Sequence, residues 1–231
     1  MKEISASQIG KNYLFKGGSC LVKCYFGYYR FTVDLDFTWE NQEIWERISK
    51  KNLRKMLLNK IEDFGSLLEK ISGKMGLEFE ASLQNRKFIE FGGGGRMVTF
   101  KLWKGLEFIK IQINFIDEIL FKPKFVWAKT LLSKAKLTKE EKAYFKEFLE
   151  FYKPILVKAY DEKELLCEKI RAILTRRNQK LRDFYDVFVF CEHGFKLDDL
   201  RNEIVRKIKA ALYYKKYRSA LERNKKELKN R

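Results

Sequence analysis

Two aspartates that lie two positions apart, Asp34 and Asp36, have the spacing of a catalytic metal site. Apolar and polar residues alternate over residues 31–37, which predicts a strand with both carboxylates on one face. Carboxylates in that arrangement can hold a pair of divalent cations roughly 4 Å apart. Strands also carry paired acids for solubility alone, so the neighbouring residues must decide between the two interpretations.

A glycine-rich turn lies upstream of the aspartates and offers a seat for phosphate groups. Gly17, Gly18 and Ser19 present backbone N–H groups and a hydroxyl at the start of a short helix predicted over residues 20–26. Arg30, between this turn and the aspartates, can neutralise phosphate charge. The combination favours a site that binds a nucleoside triphosphate together with Mg²⁺ or Mn²⁺.

The elements predicted around these residues form an α+β fold, with a mixed sheet and flanking helices followed by an all-helical domain. Apolar spacing predicts a helix over residues 41–71 with one break, and glycines 92–95 favour a mobile hairpin turn over a phosphate cradle. Capping-box spacing in Thr138/Glu141 and Asp161/Glu164 predicts two helix starts, and Gly194 predicts a helix end. Strands are predicted over 86–91, 96–103 and 107–116, and we divide the chain into domains 1–122 and 123–231, the second helical throughout.

A strong positive charge indicates a polyanionic partner. The chain holds 49 Lys and Arg against 31 Asp and Glu, a formal charge of +18, and half of this excess lies in residues 205–231. Three tyrosines interleaved there could stack on unpaired bases, or could pack inward from a solvated basic helix. The candidate RNA-binding residues of this segment are Arg206, Lys207, Lys215, Lys216 and Arg218.

Other residue types restrict the function by their scarcity. One histidine, His193, excludes histidine triads and multi-histidine metal sites. The four cysteines have no zinc-ribbon spacing and are interpreted as reduced packing residues. No segment approaches the roughly 18 apolar residues of a membrane span, and the start lacks a signal peptide. These features predict a soluble cytoplasmic protein, which we expect to be a monomer.

Two separated motifs resemble the AbiEii/AbiGii-type nucleotidyltransferase toxins. Residues 15–21 (FKGGSCL) and 29–37 (YRFTVDLDF) are similar to that family's KGGTxL…RFSxDLDF signature. Residues 164–173 (ELLCEKIRAI) and 182–187 (RDFYDV) are similar to its ELLxEKLxAL…RDxYDL region. Because both motifs occur in the family's order, the resemblance extends over residues 14–190.

The resemblance implies a polymerase β-like nucleotidyltransferase domain and a role as the toxin of a toxin–antitoxin or abortive-infection system. Family members transfer nucleotides to the acceptor end of tRNA, and a cognate antitoxin is an expected partner. Carried over by position, Asp34 and Asp36 would be the metal ligands, and Gly18 with Ser19 the phosphate loop. Lys169 would contact the nucleotide, and either Asp183 or Asp186 would be a further essential acid, the other capping or pairing with Arg182.

The sequence departs from the family pattern at Gln112, where many polymerase β-like enzymes place a third carboxylate. An amide binds Mg²⁺ poorly, so the site would rely on Asp183 or Asp186, or on Asp117 or Glu118 instead. Two alternatives therefore stay open beside RNA transfer. One is transfer of AMP or another NMP to a protein or small molecule, and the other is a non-catalytic RNA-binding module.

Overall fold

The computed structural model describes residues 1–229, except for the side chains at positions 94, 133, 134 and 229. Asn230 and Arg231, the end of the basic segment, lie outside the described residues. The helices are α1 Lys2–Ala6, α2 Gly17–Cys20, α3 Lys50–Met75, α4 Lys139–Tyr144, α5 Lys146–Glu150, α6 Glu162–Thr175, α7 Leu181–Glu192, α8 Arg201–Ala211 and α9 Lys215–Lys229. The strands are β1 Tyr13–Lys16, β2 Leu35–Trp39, β3 Ile89–Gly92, β4 Met97–Lys104, β5 Glu107–Asn114, β6 Lys124–Ala128 and β7 Ile155–Ala159.

The strands form one mixed sheet in the order β3-β4-β5-β2-β1-β7-β6. The pairs β2–β5 and β1–β7 are parallel, and the other neighbours are antiparallel. The predicted α+β class, with a mixed sheet and flanking helices, is confirmed. The strand that carries Asp36 is central, so its neighbours on both sides hold its backbone in place.

Helix α3 covers the aromatic face of the sheet. It begins after Ser49, whose hydroxyl caps the first turn, and it ends at Gly76, where φ is 63°. The ring of Phe64 lies 6.5 Å from that of Phe37 and 5.6 Å from that of Phe100. Side chains alternate along a strand, so burying Phe37 under α3 turns Asp36 to the opposite face.

Local sequence patterns predicted several of these elements correctly. The helix expected over 41–71 occurs as the 3₁₀ turn Gln42–Trp45 and α3, with the predicted break between them. The glycine run joins β3 and β4 as a hairpin turn, and Gly194 follows α7 with φ 85°. Thr138 and Glu141 form the expected capping box. Among the described residues, no helix has the length and apolar character to cross a bilayer.

The expectation that the chain is helical from Pro123 onward is wrong, because β6 and β7 lie in that region. The two strands pair with each other, and β7 also joins β1, a contact between distant parts of the chain. The chain divides into two compact units. The sheet unit consists of Met1–Asp117 and Pro123–Tyr160, and the helical unit consists of Glu118–Lys122 and Asp161–Arg231. This division differs from the predicted boundary at residue 122 because strand pairing returns the chain to the sheet.

The strand predicted over residues 31–37 begins only at Leu35. Phe31 and Val33 are 91% and 80% exposed, so the apolar alternation before β2 does not reflect a buried face. No strand pairs with this part of the chain in the described structure, and the backbone at Asp34 is held by a side chain instead. The observed strand therefore begins four residues later than the predicted one.

Candidate active site

Asp36 lies in a row of side chains that crosses the face of the sheet opposite α3. Its register partners are Lys16 on β1 and Gln112 on β5, and Gln112 pairs in turn with Thr99 on β4. Register partners on adjacent strands project to the same side of a sheet. The amide of Gln112 is therefore directly beside Asp36, at the position where a third carboxylate would lie.

Asp34 precedes β2 and is fixed through its backbone. The Ser19 hydroxyl donates a hydrogen bond to the Asp34 carbonyl oxygen and lies 2.8 Å from the Thr32 hydroxyl. Ser19 is 1% exposed. Its hydroxyl thus positions Asp34 in this structure, whereas the resemblance implied a contact with phosphate.

The glycine turn lies against both Asp36 and Arg30. Gly17 has φ 74°, and a Cβ there would lie 2.3 Å from Asp36 Oδ2. A Cβ on Gly18 would lie 2.3 Å from a guanidinium nitrogen of Arg30. At Gly17, both the positive φ and the approach of the Asp36 carboxylate favour glycine. Four predicted site residues, Gly17, Gly18, Arg30 and Asp36, are therefore adjacent, and Ser19 connects Asp34 to the same turn.

Lys16 is a member of the site that sequence reasoning missed. It is 5% exposed, and its ammonium lies 2.9 Å from Asp117 Oδ2. The Tyr160 hydroxyl donates to the same carboxylate oxygen, also at 2.9 Å. Asp117 is thereby bound to a lysine and a tyrosine, which limits its use as the substitute carboxylate. The only sequence signal was the position of Lys16 directly before the glycine turn.

The donor set fits a divalent cation completed by substrate phosphates. No group of three or more His, Cys, Asp or Glu side chains in the described part of the chain is arranged to hold a metal ion by itself. Asp34 and Asp36 supply two hard oxygen donors, and Mg²⁺ in nucleotide enzymes is commonly held by one or two carboxylates plus phosphate oxygens. The pair would hold the ion.

In the helical unit, Lys169 forms ion pairs with both candidate acids. Its ammonium lies 2.9 Å from Asp183 Oδ1 and 2.6 Å from Asp186 Oδ2, and both aspartates are buried. Asp183 also pairs with Arg176. The expectation that one of these acids would cap or pair with Arg182 is not met, because Arg182 is exposed and Arg176 occupies that role.

The whole described sequence, residues 1–229, matches the family model for the nucleotidyl transferase AbiEii toxin of type IV toxin–antitoxin systems. The chain belongs to this family. The resemblance found in the two motifs is thereby confirmed, and the family that it names is one of nucleotidyl transferases.

Two solved structures are similar to this AbiEii-family protein. MenT4, the nucleotidyltransferase toxin Rv2826c from Mycobacterium tuberculosis H37Rv, aligns with a TM-score of 0.48 and 20% identity over 86% of this chain and 56% of its own. An antigenic nucleotidyltransferase-like protein from Paracoccidioides brasiliensis aligns with a TM-score of 0.35 and 14% identity over 91% and 84%. The chain thus spans little more than half the length of MenT4. No curated protein matches it.

Lys207 of the AbiEii-family chain is a structural residue, which corrects its assignment as an RNA contact. It is 1% exposed, and its ammonium lies 2.6 Å from Glu164 Oε1 and donates to the carbonyl oxygen of Glu118. Glu164 also accepts the backbone N–H groups of Leu120 and Phe121 at 2.7 and 2.9 Å. The helix start predicted near residue 162 is correct, but the capping box does not form: Asp161 caps α6 through the N–H of Lys163, and Glu164 binds these other groups instead.

The other basic candidates lie on the surface. Lys215, Lys216 and Arg218 of α9 are exposed, and the exposed Arg206 pairs with Glu118 at 2.6 Å. Tyr213 is 80% exposed. This arrangement leaves cations and an aromatic ring on the outside of the helical unit, where a polyanion can reach them.

Proposed function

We propose that this AbiEii-family protein transfers a nucleotide from an NTP to RNA, at the 3′ end of tRNA, in the presence of Mg²⁺. One observation carries the proposal. Asp36 and Arg30 both lie against the glycine turn, at Gly17 and Gly18, and Ser19 ties Asp34 to that turn. Carboxylates for a cation, a guanidinium for phosphate and a glycine turn without side chains are the parts that NTP chemistry needs.

Each residue has a role that follows from its place. Asp34 and Asp36 would hold the divalent ion, which supplies Lewis-acid stabilisation of the triphosphate when it is bound. The N–H groups of Gly17 and Gly18 bind phosphate oxygens, and Arg30 neutralises their charge. The acceptor hydroxyl attacks the α-phosphorus and loses its proton to a carboxylate or to solvent, while the bond to pyrophosphate breaks.

RNA is the favoured acceptor because of the charge of the molecule. The formal charge is +18, and the exposed cations of α9 add a basic surface with aromatic rings. Transfer to a protein or to a small molecule would not require such an excess of positive charge. Action in the cytoplasm as a monomer, with a cognate antitoxin, belongs to the same proposal.

The test is to incubate the protein with Mg²⁺, total tRNA and each α-³²P-labelled NTP in turn. An Asp34→Ala, Asp36→Ala double variant is the control. We expect label in RNA that the variant does not produce and that EDTA abolishes. Label on protein instead of RNA would replace RNA with a protein acceptor. RNA binding without any label would show a non-catalytic module.

A further inference from the structure

A cavity lies in the sheet unit, between α3 and the β3–β4 hairpin with the loop before it. It has a volume of about 600 Å³, which is the size of a pocket for a small ligand. We call it the α3 pocket. Its lining includes the side chains of Lys50, Arg54, Arg86, Arg96 and Phe91.

The α3 pocket is on the other face of the sheet from Asp36. Glu90 on β3 belongs to the same cross-strand row as Thr99, Gln112 and Asp36. Phe91 follows Glu90 in the strand and therefore points to the opposite face, which is the face that α3 covers. The pocket is thus separate from the site proposed for nucleotide transfer.

The charge of the pocket has one sign. Four cationic residues from three segments line it: Lys50 and Arg54 from α3, Arg86 from the loop, and Arg96 from the hairpin. No Asp or Glu is among the lining residues. Within the described residues, no carboxylate pairs with Arg54 or Arg86. An anionic ligand is therefore expected, because Arg54 and Arg86 have no carboxylate partner in the described part of the chain and the lining contributes positive charge alone.

The floor of the pocket is apolar and contains an aromatic ring. Leu57 and Ile61 of α3 form part of it, and the Arg86 guanidinium lies 5.1 Å from the centre of the Phe91 ring. A flat ligand group can pack against such a floor and stack on the ring or the guanidinium plane. An apolar floor suits a nucleotide base, and the cations beside it suit the phosphate of the same nucleotide.

We propose that the α3 pocket binds one unpaired nucleotide of the acceptor RNA strand, with its base on the apolar floor and its flanking phosphates on the cations. This proposal rests on the proposed function, which supplies the RNA. A free NTP fits less well, because it carries Mg²⁺ and the pocket offers no carboxylate to hold the ion. Cations spread over three segments match the two phosphodiesters that flank one nucleotide in a strand.

The experiment measures the affinity of a fluorescein-labelled 12-nucleotide single-stranded RNA in EDTA, without NTP. Arg54→Glu is compared with Lys55→Glu, which makes the same charge change on the next exposed residue of α3, outside the pocket lining. We expect Arg54→Glu to weaken binding about tenfold or more, the loss of one charge-assisted contact, and Lys55→Glu to weaken it less than about threefold. Arg86→Glu should act as Arg54→Glu does, from the other wall.

Equal effects of Arg54→Glu and Lys55→Glu would overturn the proposal. So would a mononucleotide that binds as tightly as the labelled RNA and only in proteins with Arg54 intact, because the flanking phosphates of a strand would then contribute nothing. Binding of decyl phosphate that depends on Arg54, with an RNA affinity that the Arg54→Glu variant leaves unchanged, would assign the pocket to an anionic amphiphile instead. The binding assay contains neither NTP nor metal, so the measured RNA affinity does not depend on whether the protein has transferase activity. The two proposals therefore fail separately.

Discussion

Asp36 and Gln112 are register partners on the parallel strands β2 and β5, so an amide side chain stands beside the carboxylate at the centre of the candidate site. A glutamate at position 112 would add a third oxygen ligand with negative charge. We predict that Gln112→Glu lowers the Mg²⁺ concentration for half-maximal transfer by about tenfold, since affinity for hard cations rises with ligand charge. The measurement is a Mg²⁺ titration of tRNA labelling.

The matched control for this variant is Asn114→Asp, two residues along the same face of β5. Asn114 pairs with Thr38 and not with Asp36, so its substitution should leave the titration unchanged. Without metal, Gln112→Glu should also lower the melting temperature, because it places two like charges side by side. A titration curve that does not move would show that position 112 does not face the bound ion.

Ser19 is predicted to act through Asp34. Its hydroxyl donates to the Asp34 carbonyl, so Ser19→Ala frees the backbone before β2 and misplaces the carboxylate. We expect kcat to fall by about ten- to a hundredfold with little change in KM for NTP, the pattern of lost positioning. Ser19→Thr, which keeps the hydroxyl, should restore most of the rate. A rise in KM with unchanged kcat would indicate a direct contact with phosphate instead.

Local patterns were sufficient to predict the residues that meet at the glycine turn. The pair Asp34 and Asp36, the turn at Gly17 and the helix expected within residues 41–71 each depend on residues close in sequence. Alternation, glycine placement and helical spacing record such local requirements directly.

Contacts between distant residues could not be predicted in the same way. Lys16 and Asp117 are 101 positions apart, and their ion pair depends on the pairing of strands that the sequence pattern did not reveal. Lys207 lies in a segment whose sequence is typical of a solvent-exposed basic helix, yet its ammonium lies against Glu164, 43 positions away. Tertiary packing decides such positions, and a single sequence does not show the partner.

Cys167 provides a test of burial in the helical unit. Burial raises the pKa of the Cys167 thiol to about 12. The thiolate is the reactive form, so iodoacetamide should leave Cys167 unmodified between about pH 7 and 9, while the exposed Cys191 is modified. The raised pKa also means that the unfolded chain ionises first, so stability should fall as the pH rises above 9 towards 12. Peptide mapping by mass spectrometry gives the site of modification, and rapid labelling of Cys167 would contradict its buried position.

Lys207→Met should destabilise the protein without a specific effect on RNA. The substitution leaves the Glu164 carboxylate buried without its cation, which typically costs about 3–5 kcal/mol. Lys209→Met, an exposed residue of the same helix, should change the free energy of unfolding by less than about 0.5 kcal/mol. Urea denaturation measures both values. At temperatures where both variants are folded, Lys207→Met should bind RNA no more weakly than Lys209→Met, and a larger loss would restore Lys207 as an RNA contact.

Lys169 can be tested in the same way for a structural or a nucleotide-binding role. Its ammonium holds Asp183 and Asp186 together, so Lys169→Met leaves two buried carboxylates with less positive charge between them. We predict a loss of about 3–5 kcal/mol in the free energy of unfolding, of which Asp186→Asn in the same chain recovers part by removing one uncompensated charge. Arg176 continues to pair with Asp183 in both variants. If Lys169→Met instead keeps its stability and raises KM for NTP at unchanged kcat, the lysine contacts the nucleotide, as the family resemblance implied, and its ion pairs contribute little to folding.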